Sequence, residues 1–70
     1  MRFPRNVRQK EAVAAFGRLG GVEKPGKGSH RIVTINGQTL SIPQGILKVG
    51  LLKNLIKVAG LTEQEFQESL

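Results

Sequence analysis

The sequence has no cysteine, tyrosine, tryptophan or aspartate among its 70 residues. Without cysteine, the chain has neither a disulfide bond nor a thiolate zinc site. Its five glutamates are scattered, so the sequence lacks the carboxylate cluster that holds two metal ions in many nucleases. If this chain cleaves nucleic acid, we therefore expect it to do so without a metal ion or a small-molecule cofactor.

Long apolar stretches are also missing from the sequence. No run approaches the roughly 20 apolar residues that a membrane-spanning helix requires. The first five residues, Met1–Arg5, lack the apolar core of a signal peptide. These absences predict a cytoplasmic protein with no membrane partner. The length predicts a single domain, residues 1–70, close to the lower size limit for folding without a disulfide or a metal ion.

Positive charge is abundant and unevenly distributed. The formal net charge is +6, from 11 lysines and arginines and five glutamates. Residues 1–31 carry eight of the cations and two of the glutamates, whereas residues 32–70 carry three of each. A strongly basic half of a small domain indicates a polyanionic partner, nucleic acid first and acidic protein second.

Helical patterns occur at both ends of the chain. Apolar residues at three- and four-residue spacing predict a first helix from Val7 or Gln9 to Leu19, with Asn6 as its N-cap. A loose basic arm, residues 1–5, is expected to precede it. Two helices are predicted after residue 50: Leu51–Ala59, and a short helix over Glu63–Leu70 that opens with the capping-box pattern of Thr62 and Glu65.

Three strands are predicted between the helices. A short edge strand, Val22–Lys24, is followed by a loop over residues 25–29. Two alternating runs, residues 31–35 and 38–42, are joined by Asn36-Gly37, which favours a type I′ hairpin turn. That turn pairs Val33 with Leu40, so the apolar residues of both strands share one face.

The order of these elements predicts an α+β fold. It reads α-β-β-β-α with a short extra C-terminal helix, and both main helices are expected on one face of a three-stranded antiparallel sheet. This is the layout of a double-stranded-RNA-binding-domain-like fold.

His30 is the only histidine in the chain, and it directly precedes the second predicted strand. By alternation it falls on the polar face of the sheet, opposite the apolar face. An exposed imidazole near cations is a candidate general acid or base for reactions of RNA phosphates. For the Ser29 hydroxyl, capping of the strand entry is the simpler interpretation, because no second base would activate it as a nucleophile. The candidate phosphate-binding residues are Lys24, Lys27, Gly28, Ser29 and Arg31.

Three segments of the chain carry a resemblance to a known family. Gly28-Ser29-His30 opens the second strand, and Leu40-Ser41-Ile42-Pro43 ends the hairpin. The third segment runs from Gly50 to Thr62 and is followed by Glu65-Phe66. With these segments in this order and spacing, residues 9–70 resemble the HicA-type mRNA interferase toxins of HicA–HicB toxin–antitoxin systems.

The resemblance implies a toxin that cleaves mRNA without a metal ion and is held inactive by a HicB-type antitoxin. The active-site histidine of the family corresponds to His30. The chain differs from the family pattern at Gly21, where such proteins commonly have an aromatic residue.

Two other classes of function are compatible with the residues alone. One is a non-catalytic RNA-binding domain of the double-stranded-RNA-binding-like class, since such domains bind RNA by shape and phosphate contacts. The other is a DNA-binding or protein-docking module, although no helix-turn-helix spacing is visible.

Overall fold

The computed structural model describes residues 3–26 and 28–70. Three antiparallel strands lie side by side in chain order, and the second is central. The α+β, double-stranded-RNA-binding-domain-like fold is confirmed. The elements of the described residues are α1 (Gln9–Arg18), β1 (Val22–Pro25), β2 (Arg31–Ile35), β3 (Gln38–Ile42), α2 (Val49–Val58) and α3 (Glu63–Ser69).

The β2–β3 hairpin has the predicted turn and register. Asn36 and Gly37 both have positive φ, 50° and 76°, as a type I′ turn requires. Val33 is paired with Leu40, as predicted from the turn. The Asn36 side-chain amide also donates a hydrogen bond to the carbonyl oxygen of Ala59, at 2.7 Å. The turn is thereby attached to the end of α2.

One face of the sheet is buried beneath the helices. The two aromatic rings that hold the helices together, Phe16 of α1 and Phe66 of α3, are fully buried with centroids 5.1 Å apart. The inward residues predicted for α2 are all buried as well. The strand and α2 residues of this core are Val33, Ile35, Leu40, Ile42, Leu52, Leu55, Ile56 and Ala59.

The first helix begins at Gln9, one of its two predicted starts, but its N-cap differs from the prediction. Arg8, not Asn6, is the N-cap, and its backbone N–H donates to the Glu11 carboxylate at 3.2 Å. Val7 lies before the helix because the chain pairs here with the β3–α2 connection. The Leu47 N–H donates to the Val7 carbonyl at 2.8 Å, and Arg8, which is extended, forms a β-bridge with Ile46. A helix starting at Val7 would break this pairing.

The predicted basic arm lies partly outside the described residues, because it includes residues 1 and 2. From residue 3 onward it has no helix or strand before α1. Phe3 is half-buried and packs against the core. The Lys53 ammonium lies 5.3 Å from the centroid of the Phe3 ring, within the range of a cation–π contact.

The C-terminal helices match their predictions closely. The second helix begins at Val49, two residues earlier than predicted, and Gly60 follows its end with a φ of 77°. Thr62 and Glu65 form the predicted capping box of α3, with hydrogen bonds of 2.9 and 3.1 Å. None of the helices described here is long and apolar enough to cross a membrane.

Gly21 is enclosed by its neighbours. A Cβ atom at this position would lie 2.8 Å from both the Phe16 carbonyl oxygen and a methyl group of Val33. These distances are shorter than van der Waals contact, so an aromatic side chain at position 21 would require the α1–β1 junction to move.

The double role of Asn36 can be tested by two substitutions. Asn36→Gly keeps the positive φ and removes the side-chain hydrogen bond, which is expected to lower the free energy of unfolding by about 1 kcal/mol. Asn36→Ala loses the hydrogen bond and also strains the turn, adding about 1 kcal/mol more. Urea unfolding measures both variants, with exposed Asn54→Ala as the control. Equal stability of Asn36→Ala and the parent chain would contradict this account.

Candidate functional site

His30 is exposed on the face of the sheet that the helices leave uncovered. Across the strands, Lys24 is paired with Ile32, and Ile32 with Ser41. His30 lies two residues before Ile32, so alternation places it on the same face. We call this the open face, defined by Lys24, His30, Ile32 and Ser41. In the described part of the chain, no hydrogen bond to the imidazole is found.

Two shallow depressions adjoin His30. The first has a volume of about 290 Å³ and is bordered by Gln9, Arg31 and Gln44. The second, of about 560 Å³, is bordered by Ile32 and Ser41. His30 lines both depressions, so a molecule seated in either one can reach its side chain. An exposed imidazole there can take a proton from a bound molecule or give one to it.

Two glycines shape the loop that leads to His30. A Cβ atom on Gly26 would lie 2.6 Å from the His30 carbonyl oxygen, so only glycine allows the end of β1 to lie this close. Gly28 has a φ of 61°, a left-handed conformation that other residues adopt at a cost. Lys27, one of the predicted phosphate-binding residues, lies outside the described residues.

Gln9 connects this loop to the helical layer. Its side-chain amide nitrogen donates to the carbonyl oxygens of Ser29, at 2.7 Å, and Ile42, at 2.9 Å. Its backbone N–H donates to the Gly45 carbonyl at 3.0 Å. One residue at the start of α1 therefore holds the residue before His30, the end of β3 and the connection that follows.

Arg31 lies on the opposite side of the sheet from the open face. Its guanidinium is 3.2 Å from the Glu23 carboxylate, and both side chains are about half exposed. Alternation explains this placement, because neighbouring residues in a strand point to opposite faces. Arg31 was grouped with His30 because the two are neighbours in the sequence, but their side chains point to opposite faces of the sheet.

Lys24 and Ser29, two other predicted site residues, are both exposed, but only Lys24 belongs to the open face. Lys24 is exposed and belongs to the open face, near His30. Ser29 is exposed, and its carbonyl accepts the hydrogen bond from Gln9. The capping bond predicted for the Ser29 hydroxyl is not found among the residues that the structure describes.

Sequence reasoning missed Gln9 as a site residue, and no local signal identifies it. A glutamine in the first turn of an amphipathic helix is ordinarily a solvent-facing residue. Its partners here are backbone carbonyls, which carry no side-chain signature. The close approach at Gly26 also depends on the strand pairing, so it cannot be recognised from the residue alone.

One comparison with known proteins identifies a family. The family model described as the HicA toxin of bacterial toxin–antitoxin systems matches residues 10–61, which include His30 and all three strands. No curated protein matches the chain.

Gln9 is expected to hold the loop before His30 in place. Gln9→Ala leaves two carbonyl oxygens without their donor, so amide hydrogen exchange at residues 28–30 and 44–45 should accelerate relative to the core of β2. The free energy of unfolding should fall by about 1–3 kcal/mol. Exposed Gln64→Ala serves as the control. Unchanged exchange in the His30 loop of Gln9→Ala would show that the two hydrogen bonds do not position it.

Proposed function

The chain belongs to the HicA family of toxins of bacterial toxin–antitoxin systems, and from this premise we propose that it is a metal-independent endoribonuclease that cleaves mRNA with His30 as general acid or base. The observation that carries the proposal is the position of His30. It is the only histidine, it is exposed on the open face, and it lies within the segment that matches the family.

The proposed reaction uses the RNA's own 2′-hydroxyl as the nucleophile. The 2′ oxygen forms a bond to the adjacent phosphorus, and the bond from that phosphorus to the 5′ oxygen breaks. The proton of the 2′-hydroxyl is lost, and the departing 5′ oxygen gains one. His30 performs one of these transfers, as base or as acid, and water or a backbone group performs the other. A positioned acid or base of this kind contributes a factor of about 10²–10⁴ to the rate.

Cations near His30 would stabilise the negative charge that grows on the phosphate during this reaction. Lys24 shares the open face and is exposed. We propose phosphate-binding roles for Lys24, for Lys27 and for the loop residues Gly28 and Ser29. Arg31 can take part only if phosphate competes with Glu23. That competition is feasible because an exposed ion pair contributes at most about 1 kcal/mol.

The residue composition supports independence from metal. The sequence has no aspartate, and the described residues contain no group of three or more histidine, aspartate or glutamate side chains that could hold a metal ion. The 2′-hydroxyl mechanism needs no metal-activated water, because the nucleophile is part of the substrate. Cleavage is therefore expected to continue in the presence of a chelator.

A toxin of such a system has an antitoxin partner. We propose that the partner is a HicB-type protein and that it inhibits by covering the open face. His30 has few protein groups around it on this face, so a bound partner can block substrate access without rearranging the fold. The surplus of positive charge would favour an acidic contact surface on the antitoxin.

Replacement of His30 tests the proposed chemistry. His30→Ala should cleave single-stranded RNA about 10²–10⁴-fold more slowly than the parent chain, since the proton transfer loses its positioned group. RNA binding should be retained, because the substitution removes no fixed charge. Cleavage rates of a labelled transcript, with and without a chelator, measure the effect. Asn54→Ala, exposed on α2, is the matched control.

Equal cleavage by the parent chain and His30→Ala would refute a catalytic role for His30. If neither protein cleaves RNA but both bind it, the alternative of a non-catalytic RNA-binding domain is favoured.

Coverage of His30 by the antitoxin can be measured directly, because the chain has a single histidine. Diethyl pyrocarbonate modifies exposed imidazoles, and its reaction with His30 should be strongly slowed in the toxin–antitoxin complex. RNA cleavage should be lost in parallel. If the complex is inactive while His30 reacts at the rate of the free toxin, inhibition by coverage is wrong.

A further inference from the structure

A third depression, larger than the two beside His30, lies between the N-terminal segment and α2. Its volume is about 870 Å³. We call it the basic groove, and define it by Phe3, Arg5, Ile46, Lys48 and Lys53. None of these residues belongs to the open face.

The basic groove carries positive charge that the described residues do not neutralise. Arg5, Lys48 and Lys53 are exposed, and no glutamate lines the groove. In the described part of the chain, the one ion pair is that between Arg31 and Glu23. Three cations around one depression without a carboxylate are the electrostatic footprint of a polyanion site.

The groove also has an apolar wall. Phe3 lines it and is half-buried against the core, and Ile46 is 56% exposed although it is a large apolar residue. Lys53 holds its ammonium group over the Phe3 ring, 5.3 Å from the centroid. An apolar surface next to cations fits a nucleotide, whose base contacts the wall while its phosphate contacts the cations.

The groove and the His30 site are joined by a short stretch of chain. Gln44 borders the first depression at His30, and Ile46 lines the groove. Two residues span at most about 7 Å, so the edges of the two depressions lie close together at Gln44 and Ile46. The cation described in the depressions at His30 is Arg31, which is paired with Glu23. Apart from Lys24 on the open face, further affinity for a polyanion would come from cations elsewhere on the surface.

We propose that the basic groove binds the single-stranded segment of the substrate RNA that flanks the scissile phosphate. This inference rests on the proposed function, because the position of the scissile phosphate is taken from His30. Single-stranded RNA is favoured over a duplex because the bases of a duplex are stacked and cannot reach an apolar wall. RNA is favoured over an acidic protein because the groove adjoins the place where the substrate must lie.

The test compares two pairs of substitutions that remove the same charge. Arg5→Gln with Lys48→Gln alters the groove, whereas Lys10→Gln with Lys57→Gln alters exposed cations outside it. Each pair is introduced separately into the His30→Ala chain, so that the RNA probe stays intact. Binding of a short fluorescent single-stranded RNA is measured by anisotropy over a range of salt concentrations. Circular dichroism checks that each variant is folded.

The groove pair should bind the RNA about tenfold or more weakly at low salt than the His30→Ala chain. The slope of log K against log salt should fall by about 1.4, since each single-strand phosphate contact contributes about 0.7. The control pair should keep the slope. Phe3→Leu in the same chain should weaken binding about fivefold or more without changing the slope, because it removes a stacking surface and no charge.

Two results would overturn the inference. Equal losses of RNA affinity in the groove pair and the control pair would mean that binding depends only on the net charge of the protein. Normal RNA binding by the groove pair with lost antitoxin binding would assign the groove to a protein partner. The proposed function is judged separately by cleavage: if the parent chain does not cut RNA but the groove pair binds it poorly, the groove stands and the catalytic proposal fails.

Discussion

The turn at Asn36 and Gly37 determines which side of the sheet carries His30. Both residues have positive φ, and this geometry fixes the pairing of Val33 with Leu40. A shift of the register by one residue would exchange the two faces, so that apolar residues would face solvent. The burial of the core residues in β2 and β3 therefore keeps the imidazole on the open side. The candidate site depends on a turn at the far end of its strand.

Local patterns were sufficient to predict most of the fold. The Asn-Gly turn, the alternation of both strands and the capping box of Thr62 and Glu65 each involve residues that are close in the chain. The predicted start of α1 at Gln9 is confirmed, but the alternative start at Val7 and the Asn6 N-cap were wrong, because the chain before Gln9 has a distant partner. The Val7 carbonyl accepts a hydrogen bond from the N–H of Leu47, and no pattern near Val7 indicates that bond.

The candidate site was only partly predictable for a similar reason. His30 and Gly28 could be singled out as candidates because their residue types and spacing are distinctive. Arg31 was grouped with His30 by chain neighbourhood, whereas strand alternation places its guanidinium beside Glu23 on the other face. Gln9 acts on backbone carbonyls that carry no sequence signal. The basic groove combines residues that are more than 40 positions apart, so only the folded chain brings them together.

In the proposed mechanism, two places on a small domain have separate tasks. The open face would supply the proton-transfer group, and the basic groove would supply fixed charge and an apolar wall. Such a division suits a site with one candidate general acid or base, because binding energy from remote contacts can position a substrate that local contacts hold weakly.

The most direct test of the central claim is the chemistry of the RNA ends after cleavage. Attack by the 2′-hydroxyl predicts products with a 2′,3′-cyclic phosphate on one fragment and a 5′-hydroxyl on the other. Mass spectrometry of the fragments from a short RNA distinguishes these ends. Fragments with a 5′-phosphate and a 3′-hydroxyl would show that water attacks the phosphorus instead, and would contradict the account.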